Sequence, residues 1–599
     1  TGGTETTLSP AVTHARAGQA TMVDSDGLLK WAPHNLIKRS EDFSNSEWVK
    51  SNNGSVVVDN AVAPDGTTTA ATLTIPQFNA RTYQRVYSSY KAGDKITFSF
   101  WVRSDTVTSI IFGVGGGTNA ANNNASANTV APVTSTWNLV ELEFTVLGND
   151  TSLYFIIGWY SSLHSAQIGD VEIWHPHAYR SDLGGMVNNS ATSNSYVPTT
   201  SSAVYAPRVG HHVYNGSAWV NEGVLHESEA RTNLLTDSGD LTGADWLWSG
   251  GLIVGTVTTG SPFGTYQTIS PRSSNVNLGH SQRYQIGKSI TSGATYVSSS
   301  LVKYSAGSGW IILIPYNTGS GNRRAWFDLQ NGVVGTKDAN VLDYGMIDYG
   351  DGWWLCWASA NVTSTSGGLS VEMANGDGVR TCTASDVILI AGAQYEQGAT
   401  PSSYIPTSGS AVTRAAETLT VPAANLPYSS TNMSIQMDGK MTYADDGATA
   451  FFYRWLLSST NYAQTVLQTN GWYTGRVSFS QRETTGGYDE LGTSGSYFTP
   501  DINVPFNISS RHGSTFLNGA EGGTALTANT TVTALPDLSS TDLLLANTFM
   551  GTIGKFRMWD EDLGDTGIAT ASSPSTEPSL QLTFDGSSTS SFTVLDWSE

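Results

Sequence analysis

The chain has 599 residues and a mass of 63.7 kDa, room for three or four domains. Charged residues are only 13% and apolar ones 39%, with 18 Trp, 25 Tyr and 19 Phe, which excludes both a coiled coil and a wholly disordered chain. A net charge of −21 opposes phosphate backbones and anionic bilayers, and no apolar run reaches the ~18–20 residues of a membrane-spanning helix, so neither nucleic acid nor membrane insertion is expected.

Residues 1–34 read as an N-terminal arm for attachment to other proteins. Thr1–Glu5 carries neither a basic region nor an apolar stretch, so no secretory leader is expected in it. Asp24 and Asp26 lie in a Gly-containing turn before Leu28-Leu29-Lys30-Trp31.

From residue 35 the text is strand-like. Lys95–Arg103 (KITFSFWVR), Leu139–Val146 and Ser152–Tyr160 are rich in β-branched and aromatic residues, with Gly, Asn, Asp and Ser clusters between them. Helical periodicity over ten residues is scarce, so the chain reads as all-β. Residues 35–204 and 231–414 repeat one pattern. Asn35, Ser40, Asp42 and Trp48 match Asn233, Ser238, Asp240 and Trp246, each 198 positions on. Gly93 matches Gly293 at 200, Trp137 and Val146 match Trp353 and Val362 at 216, and Tyr196-Val-Pro-Thr199 matches Tyr404-Ile-Pro-Thr407 at 208. Drifting offsets in a fixed order are what loop insertions in a duplicated domain produce. Trp101, Trp137, Trp353 and Trp357 are expected in the cores.

Residues 205–230 connect the copies. After Arg414 the text changes, and 415–599 predicts a third sandwich with strands at Met433–Tyr443, Phe451–Ser458, Ala463–Thr469, Trp472–Gln481, Phe506–Arg511 and Gly551–Trp559, then a linker and a last strand at Leu580–Phe584. Two cysteines, Cys356 and Cys382, cannot make a disulfide framework; one bond between them or two reduced thiols both remain open.

The string Glu229-Ala-Arg-Thr-Asn-Leu-Leu235, closing with Gly392-Ala-Gln-Tyr-Glu-Gln-Gly398 and Ser403-Tyr-Ile-Pro-Thr-Ser-Gly409, resembles a module of tailed-phage and gene-transfer-agent head-spike and tail-fibre proteins, itself similar to carbohydrate-binding jelly rolls. Copy one departs from it, with Trp174-His-Pro-His177 in place of the Gly-Ala-Gln-Tyr run. Ser510-Arg511, Phe516-Leu-Asn-Gly519 and Met550–Asp560 resemble concanavalin A-like, laminin-G-like domains. The resemblance implies three β-sandwiches in series, two jelly rolls and a concanavalin A-like tip. It implies a virion-surface protein, made in the host cytoplasm, that attaches to host cell-surface glycan. By the same analogy it is a homo-oligomer, a trimer, or a pentamer at a capsid vertex.

No catalytic signature is complete. His226-Glu227 opens like a zinc-protease helix but lacks the second His, and no nucleophile elbow or phosphate loop occurs. His175 and His177, two apart, would share one side of a strand, but no third metal ligand is readable. Asp560, Asp562 and Asp565, or Asp24 and Asp26, could hold a structural Ca²⁺; neither set completes an EF-hand pattern, and solvated acidic turns are the favoured explanation. No cofactor and no enzymatic activity is expected.

Sugar rings pack their C–H faces on aromatic rings, while hydroxyls need planar polar partners. The candidate platforms are therefore aromatics beside polar groups in turn-rich text: Trp310, Tyr316, Arg323, Arg324 and Trp326 in copy two, Trp159 and Tyr160 in copy one, and Trp472, Tyr473 and Arg476 in the last domain. Weak sites on repeated modules gain strength by avidity, which suits adhesion. A spacer or decoration without sugar affinity is the alternative, and a glycan-degrading enzyme the third reading.

Overall fold

The computed structural model describes residues 11–77, 79–122, 128–158, 168–188, 194–271, 281–317, 323–484, 487–493, 497–574 and the backbone of 592–596. Strand makes up 53% of the structure and helix 3%, so the fold is all-β. Period-two burial builds the sheets. In Lys95–Arg103 the side chains of Ile96, Phe98, Phe100 and Val102 are all fully buried in one core. There Phe98, Phe100, Phe112 and Phe155 meet edge-on at 5.0–6.0 Å, each stabilising the fold by about 2–3 kcal/mol through burial.

The duplication is visible in the strand order. In copy one, one sheet runs Asn128–Pro132, Ser109–Gly116, Asp150–Ile157, Arg81–Tyr90, Val49–Ser51, and the other Asn138–Thr145, Lys95–Arg103, Gly169–Arg180, Ala70–Ile75, Ser55–Ala61. In copy two the same positions are taken by Ala325–Asp328, Trp310–Asn317, Ser366–Ala374, Gln282–Ser289, Leu247–Ser249, and by Trp353–Asn361, Thr295–Ala306, Val387–Gln397, Gly264–Pro271, Leu252–Val254. Copy two adds Val333–Lys337 and Asp343–Asp348 before Trp353, the insertion that moves the offset from 200 to 216.

Matched residues do matched work. Asn35 accepts from the amides of Ile37 and Ala178 and donates to the carbonyls of Pro176 and Val197; Asn233 does the same with Leu235, Tyr395, Ala393 and Ile405. The indoles of Trp48 and Trp246 donate to the carbonyls of Arg39 and Asp237 at 2.9 and 3.0 Å. Gly93 and Gly293, with φ of 92° and 89°, make turns whose amides donate to Val146 and Val362 at 2.8 Å each. The divergent Trp174–His177 stretch keeps a bulge where Val387–Gln397 has one. Trp353 and Trp357 are buried, but Trp101 and Trp137 are only half-buried: Trp137 lies outside the main core, with Arg103 over its ring at 5.0 Å.

The chain forms two compact units, Lys30–Ala206 and a second of Thr1–Leu29 with Pro207–Glu599. Within the second unit the last sandwich is assembled from separated stretches. One sheet runs Thr13–Arg16, Glu417–Val421, Leu543–Leu545, Ala450–Ser458, Asn461–Leu467, Val477–Glu483, Gly487–Gly492. The facing sheet begins with connector strands Arg208–Val209 and Val224–Glu227, paired to Met550–Trp559. Part of the stretch read as an attachment arm, residues 1–34, is paired within the chain itself. Thr13–Arg16 is an edge strand in register with Glu417–Thr420, and residues 1–10 lie outside the described residues. The edge captures it through main-chain hydrogen bonds and through an ion pair of Arg16 with Glu417.

That pair belongs to a buried cluster. Arg208 grips Glu417 at 2.6 and 3.1 Å and reaches Glu227 at 2.7 Å; Arg414 meets Glu227 at 3.0 Å, and Ser403 donates to Glu227 from its amide and hydroxyl. Arm, connector, second sandwich and last sandwich each supply a member. Cys356 and Cys382 are free and buried.

Candidate functional site

On strand Trp310–Asn317 the side chains of Ile311 and Leu313 enter the core, so Trp310, Ile312, Ile314 and Tyr316 lie on the outward face of the sheet. Trp326 stands opposite Ile312 and joins it, with Trp310, in a small apolar cluster. Trp326 is nevertheless only 4% exposed. Its indole donates to the Val379 carbonyl at 2.9 Å, and Arg324, held by Asp338 at 2.7 Å, lies over its ring at 5.6 Å. Asp377, in the same turn as Val379, accepts from the amide and hydroxyl of Thr336 and pins that turn across the pair. Arg323, 5% exposed, donates to the Asn361 carbonyl. Trp326 and Arg323 are thus corrected: their surfaces are spent inside the protein. Trp310 and Tyr316 stay half-exposed, beside Tyr284, Ser370 and Glu372, the last gripped by Arg380 at 2.6 and 3.0 Å.

Trp159 and Tyr160 lie outside the described residues. The corresponding outward face of copy one carries a row that sequence reasoning missed. Along strand Arg81–Tyr90, Arg81, Tyr83, Arg85 and Tyr87 alternate with inward Thr82, Gln84 and Val86. Tyr154 stands opposite Arg85 on the next strand. The Arg85 guanidinium sits between two rings, 4.8 Å from Tyr87 and 5.2 Å from Tyr154; Tyr154 meets Tyr83 edge-on at 5.7 Å, and Arg81 covers Tyr83 at 5.6 Å. Tyr87 is 67% exposed. The period-two text Arg-x-Tyr-x-Arg-x-Tyr was the available signal: in a strand it puts four such side chains on one side.

In the last sandwich the structure brings Tyr473 and Arg476 together, with Trp472 beside them. Trp472 and Tyr473 lie in a short 3-10 turn, Gly471–Tyr473, rather than a strand, because Gly471 and Gly475 take positive φ and Asp445 caps the turn. Trp472 is 96% exposed. Arg476 covers Tyr473 at 5.6 Å and faces Glu490 at 4.0 Å, and Tyr488 donates to Glu490 at 2.5 Å. Outward Tyr462, Arg482 and Tyr488 share one register row across three strands.

The acidic candidates are engaged by the protein itself. Arg511 donates at 2.9 Å to both Asp562 and Asp565, placing a guanidinium where a Ca²⁺ would bind, at the start of helix Gly564–Ala571. Asp24 accepts from the amides of Asp26 and Leu28 and closes its own turn. Asp560 completes no set, and among the described residues no group of three His, Cys, Asp or Glu could hold a metal. His175, which the bulge turns to φ 50°, stacks on Tyr196, while His177 meets the same ring edge-on and bonds the His34 carbonyl.

Glu227 lies on a strand, not a helix. Burial pushes its carboxyl up, but the Arg414 and Arg208 guanidiniums overcome this and hold it at about 2. Burial pushes His226 down to about 4. The cluster around them is closed to solvent and tied together by ion pairs, a structural joint in which His226 Nδ1 has no hydrogen-bond partner among the described residues. Burial pushes the Glu521 carboxyl up to about 8, and its Oε2 has no hydrogen-bond partner among the described residues.

No family model matches the chain, and no curated protein does. Solved structures with similarity include the N-terminal tandem of CBM22 domains from Paenibacillus barcinonensis Xyn10C, at 13% identity, 62% of this chain, 98% of that one and a TM-score of 0.23. The enzymatically active domain of bacteriophage CBA120 tailspike protein 4 matches at 18% identity, 24% and 21% coverage and a TM-score of 0.20. An arabinose-bound α-L-arabinofuranosidase, MgGH51, matches at 11% identity, 28% and 31% coverage and a TM-score of 0.20.

Proposed function

We propose that this chain binds saccharide without cleaving it, as a host-facing spike or fibre of a virion whose ligand is cell-surface polysaccharide. One observation carries the reading: two sandwiches of one strand order turn aromatic and guanidinium side chains outward on the corresponding sheet, Arg81–Tyr87 with Tyr154 in copy one and Trp310, Tyr316 and Tyr284 in copy two. Each ring stack or hydrogen-bond set contributes about 1–2 kcal/mol, so each face is weak alone and a homo-oligomer multiplies it. The absence of catalysis in this proposal rests on the carboxylates. Glycoside cleavage needs two carboxyl groups about 5–10 Å apart across the sugar. The described copy-one row has no carboxylate, and Glu372 on the copy-two face is held by Arg380.

Virion placement is supported by the motif resemblance around Glu229–Leu235 and Gly392–Gly409. The buried joint of Arg16, Arg208, Glu227, Arg414 and Glu417 favours a second reading, a rigid spacer. Incubating the full chain with a polysaccharide panel and with host cells separates them. Retention without release of reducing ends supports the proposal; no retention on any member leaves the spacer, and release of reducing ends makes the protein an enzyme.

A further inference from the structure

The two outward faces differ in charge. In copy two each arginine on the face is neutralised internally, Arg324 by Asp338 and Arg380 by Glu372. In copy one, Arg85 donates Nε to Ser152 Oγ at 3.0 Å, Arg81 Nε has no partner, and neither guanidinium meets a carboxylate among the described residues. The acids of the adjoining strands are committed elsewhere. Asp150 turns into the 118–122 segment and accepts from Thr118, Asn119 and Asn122, and Glu47 faces Lys38 at 3.4 Å. Segments 123–127 and 159–167 contain no Asp or Glu. On strand Ser109–Gly116 this face carries Gly113 and Gly115 opposite Ile156 and Tyr154, where the corresponding strand of copy two carries Ile312 and Ile314.

Resting on the saccharide reading, we infer that the copy-one row takes a carboxylate-bearing saccharide. Tyr83, Tyr87 and Tyr154 receive the rings, while Arg81 and Arg85, about 13 Å apart along the strand, receive carboxylates on different sugar residues. In a chain of net charge −21, two cations without carboxylate partners on one exposed face select an acidic chain against the overall field.

The test uses the full chain in affinity electrophoresis against polygalacturonate, alginate, hyaluronan and polysialic acid, each as the free acid and as its methyl ester. At least one acid form is expected to bind about tenfold or more tighter than its ester, and Arg81→Gln and Arg85→Gln each to lose about tenfold on the acid form alone. Lys95→Gln, on the other sheet and paired with Glu143, is expected to leave binding unchanged, and near-ultraviolet circular dichroism verifies the fold of each variant. Equal binding of acid and ester, or arginine variants that bind as the unaltered chain does, overturns the inference while saccharide binding stands. No binding to these or to neutral polysaccharides overturns both.

Discussion

The hydroxyls of Ser238 and Tyr404 lie 2.7 Å apart, and those of Ser40 and Tyr196 make the same contact at 2.8 Å in the other copy. In both, the serine hydroxyl accepts from the amide of a threonine, Thr407 or Thr199, whose own hydroxyl accepts from the serine amide. Each clip ties a sandwich's first strand to its last segment. Ser40→Ala and Ser238→Ala are each expected to cost about 1–3 kcal/mol, and the double variant close to their sum, because each leaves a buried amide and phenol short of a partner in its own copy. Denaturant unfolding of the full chain checks this; strong non-additivity would contradict independent, equivalent clips.

Arg208 is the guanidinium that bridges the two carboxylates of the buried joint. Arg208→Ala leaves Glu417 with Arg16 alone and Glu227 with Arg414 alone, opens a buried gap between them, and is expected to destabilise by about 3–5 kcal/mol; Arg208→Lys restores little of it, because one ammonium cannot hold two carboxylates in the guanidinium's geometry. Thermal and urea melts read the difference.

The joint also sets an acid limit. The pKa of Glu227 is lowered to about 2 in the fold from about 4.5 in the unfolded chain, so its stabilisation is complete above about 4.5 and is lost as pH falls toward about 2. Glu521 behaves oppositely. Its folded value is raised to about 8, so its neutral form favours the fold below about 4.5 and stability falls by up to about 1.4 kcal/mol per pH unit as pH rises toward about 8. Glu521→Gln is expected to flatten that alkaline slope in urea melts taken between pH 5 and 9.

Trp472, almost wholly exposed, contributes little to stability. Trp472→Ala is expected to leave the melting temperature unchanged and to weaken saccharide retention by the stacking contribution of about 0.5–1.5 kcal/mol. Differential scanning calorimetry and affinity electrophoresis of the same sample check both halves.

The repeat was legible because a duplicated fold keeps its clips: Asn35, Ser40, Trp48 and Gly93 recur with their partners as well as their spacing. Strands such as Lys95–Arg103 were readable from their β-branched and aromatic content between turn-forming clusters. The capture of Thr13–Arg16 by a strand some four hundred residues away was not legible, since pairing across that distance leaves no local mark and Arg16 looks like any surface cation until Glu417 is placed beside it. Trp326 looked like a platform because its burial depends on the 376–379 turn and Asp377, another long-range placement. The Arg81–Tyr87 row was legible in its alternation, but it lies within a strand, away from the turn-rich text in which the candidate platforms stood.

The central claim is that the outward sheet faces hold saccharide. Its most direct measurement is the binding of the full chain to a polysaccharide it retains, compared with Tyr83→Ala/Tyr154→Ala and Trp310→Ala/Tyr316→Ala variants of verified fold, with reducing ends assayed throughout. The account predicts that each pair weakens binding about tenfold or more while no reducing ends appear. Unchanged binding in both double variants would contradict it.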